Sequence, residues 1–217
     1  MTNHVYRSFI ALTVLAVSFG YIEGAIVVYL REIVYPQGFS FPLAPISRRL
    51  LEVEMAREAA TLLLLLAPAW LAAPEPIRRF GAFAFLFGLW DLVYYGTLKL
   101  ALDWPSSIFD WDILFLLPIP WVGPVLSPML VALALVVVGA TLYILPADRR
   151  PRMSRLDWWV EIVAGAIVLV AFLWNGPLAL RAEVPTAFPW TVYLIGYLGG
   201  WAWFIYRWLS EPSRSRS

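Results

Sequence analysis

The chain has 217 residues, 61% of them hydrophobic and 14% charged, with a formal net charge of +1. Soluble domains carry roughly a quarter charged residues, so this composition excludes a water-soluble fold and makes the bilayer the solvent. There is no cysteine and only one histidine, His4, which excludes disulfides, thiolate metal sites, iron–sulfur clusters and bis-histidine haem within one chain; without a dense basic run carrying interleaved aromatics, no nucleic-acid partner is expected.

The first apolar run, Ser8 to Leu30, follows Arg7 and passes a loose small-residue site at Ala16 and Ser18. Its length favours a retained helix over a signal peptide. The second run, Arg57 to Ala73, is short for a span, so its helix is expected to begin near Glu54, with Pro68 as a point of bending. Further runs give expected spans at about 8–30, 54–73, 80–102, 124–145, 158–175 and 190–209. The expected fold class is an all-α polytopic membrane bundle of about six transmembrane helices, one domain over residues 1–217. Between the third and fourth spans, Pro118, Pro120, Gly123, Pro124 and Pro128 preclude a regular helix. A re-entrant or interfacial segment near 105–123 is expected there, with a helix start capped by Asp110 as the alternative.

Cations set the orientation, because cytoplasmic flanks retain arginine and lysine. Arg7, Arg78, Arg79, Arg149, Arg150, Arg152, Arg155, Arg207, Arg214 and Arg216 fall on one side of a six-span arrangement; Arg31, Arg48, Arg49, Arg57, Lys99 and Arg181 fall on the other. Both termini are therefore expected on the cytoplasmic side. Tryptophans at span ends, among them Trp104, Trp121, Trp158 and Trp190, fit interfacial anchoring.

Most acids collect on the outer half of that arrangement, and Glu23, Glu58 and Asp91 lie inside spans. An ionisable residue inside a span costs roughly 2.5 to 3.5 kcal/mol on insertion scales, so it faces a partner or a wet cavity. Counted from the expected span ends, Glu58 lies one turn down, Glu23 about 10 Å and Asp91 about 16 Å, a descending series. Glu54, Arg57, Glu58 and Thr61 share a helical face by their spacing, with Arg57 as the counter-charge for the group. Tyr94 and Tyr95 are placed to donate hydrogen bonds to the acids, and Gly20, Gly24 and Gly88 to let helices approach. Asp110 and Asp112 form a pair of loop acids suited in spacing to a hard cation such as magnesium, or simply solvated. Arg48-Arg49 reads as a solvated pair or a phosphate contact, Glu161 as a partner for Arg155 or a neighbouring arginine, and Asn175 as a cap. The expected binding set is Glu23, Glu54, Arg57, Glu58, Asp91, Tyr94, Tyr95, Asp110 and Asp112; the competing reading is buried polar glue between helices.

The stretches Glu54-Met55-Ala56-Arg57-Glu58-Ala59-Ala60-Thr61, Phe87-Gly88-Leu89-Trp90-Asp91-Leu92-Val93-Tyr94-Tyr95 and Trp111-Asp112-Ile113-Leu114-Phe115, with Pro118 to Pro124, resemble a group of uncharacterised bacterial multi-pass membrane proteins. The resemblance covers about Glu54 to Pro128 and implies a shared grouping of polar motifs and a place in the bacterial cytoplasmic (inner) membrane, with no activity attached.

Three functions remain open on the sequence. The first is an outward-facing pocket that binds or transports a cation, proton or small polar solute. The second is a membrane enzyme acting on a lipid or isoprenoid by carboxylic general acid–base chemistry, with Asp91 as acid. The third is a non-catalytic accessory subunit of a membrane complex, or a homo-oligomer. The partners expected are the lipid bilayer and a small cation or lipid ligand, and no particular cofactor is indicated.

Overall fold

The computed structural model describes residues 3–44 and 47–210, so Arg214, Arg216 and the Glu211-Pro212-Ser213 tail lie outside the described residues. The chain is mostly helical. In order it forms α1 (Asn3–Val34), α2 (Arg48–Leu71), α3 (Pro76–Leu102), β1 (Trp111–Phe115), β2 (Trp121–Pro124), α4 (Leu126–Ile144), α5 (Arg155–Leu173), the single turn α6 (Gly176–Leu180) and α7 (Trp190–Ser210). Among the described residues four helical segments are long and apolar enough to cross a membrane: His4–Val34, Pro76–Leu102, Leu126–Ile144 and Arg155–Leu180. Their outward surfaces carry exposed aliphatic side chains such as Ile10, Leu100 and Ile162.

Capping chemistry moves several boundaries away from the hydropathy. Ser47, rather than the neighbourhood of Glu54, starts α2: its hydroxyl accepts from the Leu50 amide at 3.2 Å. Pro68 sits inside α2, which continues to Leu71. Pro76 occupies the first turn of α3, where its missing N–H costs nothing. A reciprocal box of Ser154 and Asp157 opens α5.

Small residues set the helix packing. A side chain at Gly139 would lie 2.4 Å from the Phe85 nitrogen and 2.6 Å from the Gly81 oxygen, so α3 and α4, antiparallel, touch backbone to backbone. The expected close approaches at Gly20 and Gly24 are present: the first rests on Trp90 and Val93, the second on Thr97, with α1 running parallel to α3. Antiparallel α5 and α7 form a second pair, tied to α4 by hydroxyl bonds from Tyr193 to the Ser127 carbonyl (2.7 Å) and from Tyr197 to the Leu130 carbonyl (3.1 Å).

The segment after α3 corrects the all-α expectation. Trp111–Phe115 pairs antiparallel with Trp121–Pro124, with Asp112 opposite Gly123, Ile113 opposite Val122 and an irregularity between Ile113 and Phe115. Pro118 and Pro120 fall at the turn and Pro124 at the end of β2, where a hairpin tolerates them, whereas Pro128 lies in the first turn of α4, where its missing N–H is unused. This hairpin caps one end of the bundle, together with the C-terminal ends of α1 and α3 and the start of α2. The opposite end holds the start of α1 and the end of α7.

Candidate functional site

Three helices and the hairpin each present a polar face to one space. On α1, Glu23, Val27 and Arg31 are four residues apart and stack along one side. On α2 the predicted face is real: Glu54, Glu58 and Thr61 are all buried, with Arg57 beside them. Trp90, Asp91, Tyr94 and Tyr95 come from α3, and β1 brings in Asp112. Together they line a cavity of about 520 Å³, within the range of small-molecule sites. Its remaining wall is aliphatic or aromatic, with the segment after α1 covering one side through Tyr35, Phe39 and Leu43.

Most of the acids are engaged within the protein. Arg57 ion-pairs with Glu23 and, at 2.5 Å, with Glu54. The Thr61 hydroxyl donates to Glu23 at 3.2 Å. Both Glu58 oxygens accept from the Leu116 amide, at 2.9 and 3.1 Å, which pins α2 to the hairpin turn. Asp112, 2% exposed, takes an ion pair from Arg31 at 2.9 Å on one oxygen and the Tyr95 hydroxyl at 3.0 Å on the other. The Arg31 guanidinium in turn lies 4.2 Å from the Phe39 ring centre and 3.8 Å from that of Trp104. Two desolvated charges are tolerable here because both carboxylate oxygens are filled and the cation meets ring faces.

Asp91 differs. Among the described residues its carboxyl makes neither a hydrogen bond nor an ion pair, and it borders the cavity. The Tyr94 hydroxyl beside it is likewise without a hydrogen-bond partner, as is the buried Trp90 indole N–H. Chemically, the arrangement offers a cavity ligand one free carboxyl acceptor and one phenol, while the Trp90 indole N–H is buried in the core.

Several expectations need correction. Asp110 is not in the cavity. It accepts from the Ser106 amide and hydroxyl, both at 2.8 Å, and from the Ser107 amide at 3.0 Å, closing its own turn. Burial would raise its carboxyl, but those serine bonds outweigh it and hold the group below the usual range. Asp110 and Asp112 are therefore held by different partners, and among the described residues no group of three or more acids or histidines is arranged to hold a metal ion. The descending series is level instead. With α1 running to Val34 and α2 starting at Arg48, Glu23, Glu58 and Asp91 each lie roughly 15 to 17 Å from the hairpin end of their helix. Arg57 serves Glu23 and Glu54 by direct contact, not the whole group, and Tyr95 alone of the two tyrosines donates to an acid. Arg48 pairs with Glu52 on the surface. Asn175 stands at the N-cap of α6 and its carbonyl accepts from Leu178 and Ala179, while its side-chain amide donates to the Ala187 carbonyl and makes no capping bond. One buried oxygen of Glu161 has no hydrogen-bond partner.

Arg31 is the residue that sequence reading missed. Its spacing from Glu23 and Val27 was the available signal; its position at the edge of an apolar run disguised it as a loop cation. No known protein family, characterised protein or solved structure matches the chain.

Proposed function

We propose that the chain is a six-span protein of the bacterial inner membrane whose cavity binds a positively charged solute or proton through Asp91 and passes it across. The observation that carries this reading is the contrast inside one cavity: Glu23, Glu54, Glu58 and Asp112 are each satisfied by the protein, and Asp91 is not. A carboxyl at membrane depth without an internal partner finds its counter-charge in what enters. The lipid-enzyme reading gains support from the apolar walls, but its proposed metal pair, Asp110 and Asp112, is divided between two separate networks.

Counting α2 and α7 as spans has a physical basis. Helix α2 loses hydropathy because it carries the polar face of the cavity, and α7 because it is rich in tryptophan, tyrosine and glycine. At 24 and 21 residues they rise roughly 36 and 31 Å, against a hydrocarbon core of about 30 Å. Arg78 and Arg79 at the start of α3 and Arg149, Arg150 and Arg152 in the link before α5 lie at the end opposite the hairpin, which supports cytoplasmic termini and a cavity toward the outside. The resemblance of the central stretch supports a bacterial membrane.

Reconstituted liposomes under an inside-negative potential test the reading, with proton entry followed by an entrapped dye and methylammonium entry by radiolabel. Entry of at least one is expected to depend on Asp91 and to fall to the protein-free rate in Asp91→Asn. If neither enters faster than in empty liposomes, the transport reading is wrong.

A further inference from the structure

Resting on that reading, we infer that the solute is an alkylated, partly apolar ammonium ion, not an inorganic cation or a bare proton. The same cavity already shows how this chain seats a cation. The Arg31 guanidinium is held by one carboxylate, Asp112, and by the faces of Phe39 and Trp104. Asp91 offers a related combination to the cavity: an unpaired carboxyl with the Tyr94 ring next to it on the same helical face, and Trp90 stacked behind that ring at 6.4 Å and 20°. Here no arginine or lysine among the described residues is paired with it.

The chemistry of the walls selects among cations. A divalent inorganic ion favours several carboxylate ligands to replace its water shell, and no group of three or more acids or histidines is arranged to hold one among the described residues. Aromatic faces and one carboxylate suit a weakly hydrated ammonium whose charge is spread over carbon substituents. The size agrees, since about 520 Å³ far exceeds what a small ion fills. Val27, Leu30, Leu51 and Leu114 supply aliphatic surface for the substituents.

The experiment uses the full chain in lipid nanodiscs, titrated with benzyltrimethylammonium, tetramethylammonium and sodium and followed by calorimetry. Benzyltrimethylammonium is expected to bind about tenfold more tightly than tetramethylammonium, and sodium at matched ionic strength is expected not to displace it. Asp91→Asn should weaken the benzyl compound about thirtyfold and Tyr94→Leu about fivefold. Equal affinity for the two ammonium ions, displacement by sodium, or unchanged binding in Asp91→Asn would each overturn the inference. Should Asp91→Asn not fold, the comparison of probes on the unmodified chain decides alone. Asp91-dependent proton entry without benzyltrimethylammonium binding would sink this inference and leave the transport reading standing. Asp91-dependent binding without entry of any ion would do the reverse.

Discussion

The two ends of the bundle use the same side chains to opposite effect. At the end opposite the hairpin, charge closes the structure. Arg150 pairs with Glu75 at 2.7 Å, Arg207 with Asp157 at 3.2 Å, and the Trp203 indole donates to the same Asp157 at 3.1 Å. Tyr143 bonds the Ala72 carbonyl and Gly81 meets Gly139, so the ends of α2, α3 and α4 are held in direct contact. At the hairpin end the helices part around a cavity, and acids and arginines form its lining instead of its seal. An ion pair between adjacent links draws helices together; one between a helix and a hairpin across a space holds them at a fixed separation. The difference lies in what surrounds the pair, not in its chemistry.

Cutting Arg31 should break this contrast most severely. Arg31→Met leaves Asp112 charged and buried, with Tyr95 as its remaining side-chain partner, and is expected to cost about 4 kcal/mol in denaturant unfolding followed in detergent. A second change, Asp112→Leu, should recover much of that loss, since it removes the stranded charge. If Arg31→Met alone costs under about 1 kcal/mol, the pair does not hold the hairpin in place.

At the closed end the equivalent probe is steric. Gly139→Ala puts a methyl against the backbone of Phe85 and Gly81 and is expected to cost about 3 kcal/mol, with α3 and α4 forced apart. Gly165→Ala in α5, where a side chain meets nothing within 4 Å, is the control. It should be neutral or stabilising by about 0.5 kcal/mol through helix propensity. Equal effects at both positions would mean that close approach is not what seals that end.

How much of this was readable beforehand follows from the range of each interaction. The face of Glu54, Arg57, Glu58 and Thr61 is a matter of three- and four-residue spacing, and it emerged intact. The close approaches at Gly20 and Gly24 came from the same local logic. The Arg31–Asp112 pair joins residues 81 apart in the chain, and no periodicity reports such a contact. The hairpin was half readable: its prolines ruled out a helix, but pairing of Trp111–Phe115 with Trp121–Pro124 depends on a turn whose geometry the residues do not announce. The depth series failed because helix ends are set by caps such as Ser47, whereas hydropathy marks only where apolar residues begin.

The smallest expected effect concerns Glu75, and pH sharpens the comparison. The hydrogen bond from Arg150 holds the Glu75 carboxyl below its ordinary value of 4.5, against a lesser opposing effect of burial. A carboxyl with a lowered folded value gives stability that is fully present above the unfolded value and is lost as pH falls through the folded one. The Glu75 side chain is 44% exposed, so solvent screens the pair and its contribution at neutral pH should be only about 0.5 kcal/mol. Glu75→Gln should therefore unfold slightly more easily than the unmodified chain at pH 7, and the two should converge as pH drops below 4.5 toward the lowered folded value. Thermal unfolding in detergent across that interval reads the difference directly. A gap that persists at the acid limit would mean that Glu75 acts through packing, and the closed end would then owe its seal to the glycine contacts and not to charge.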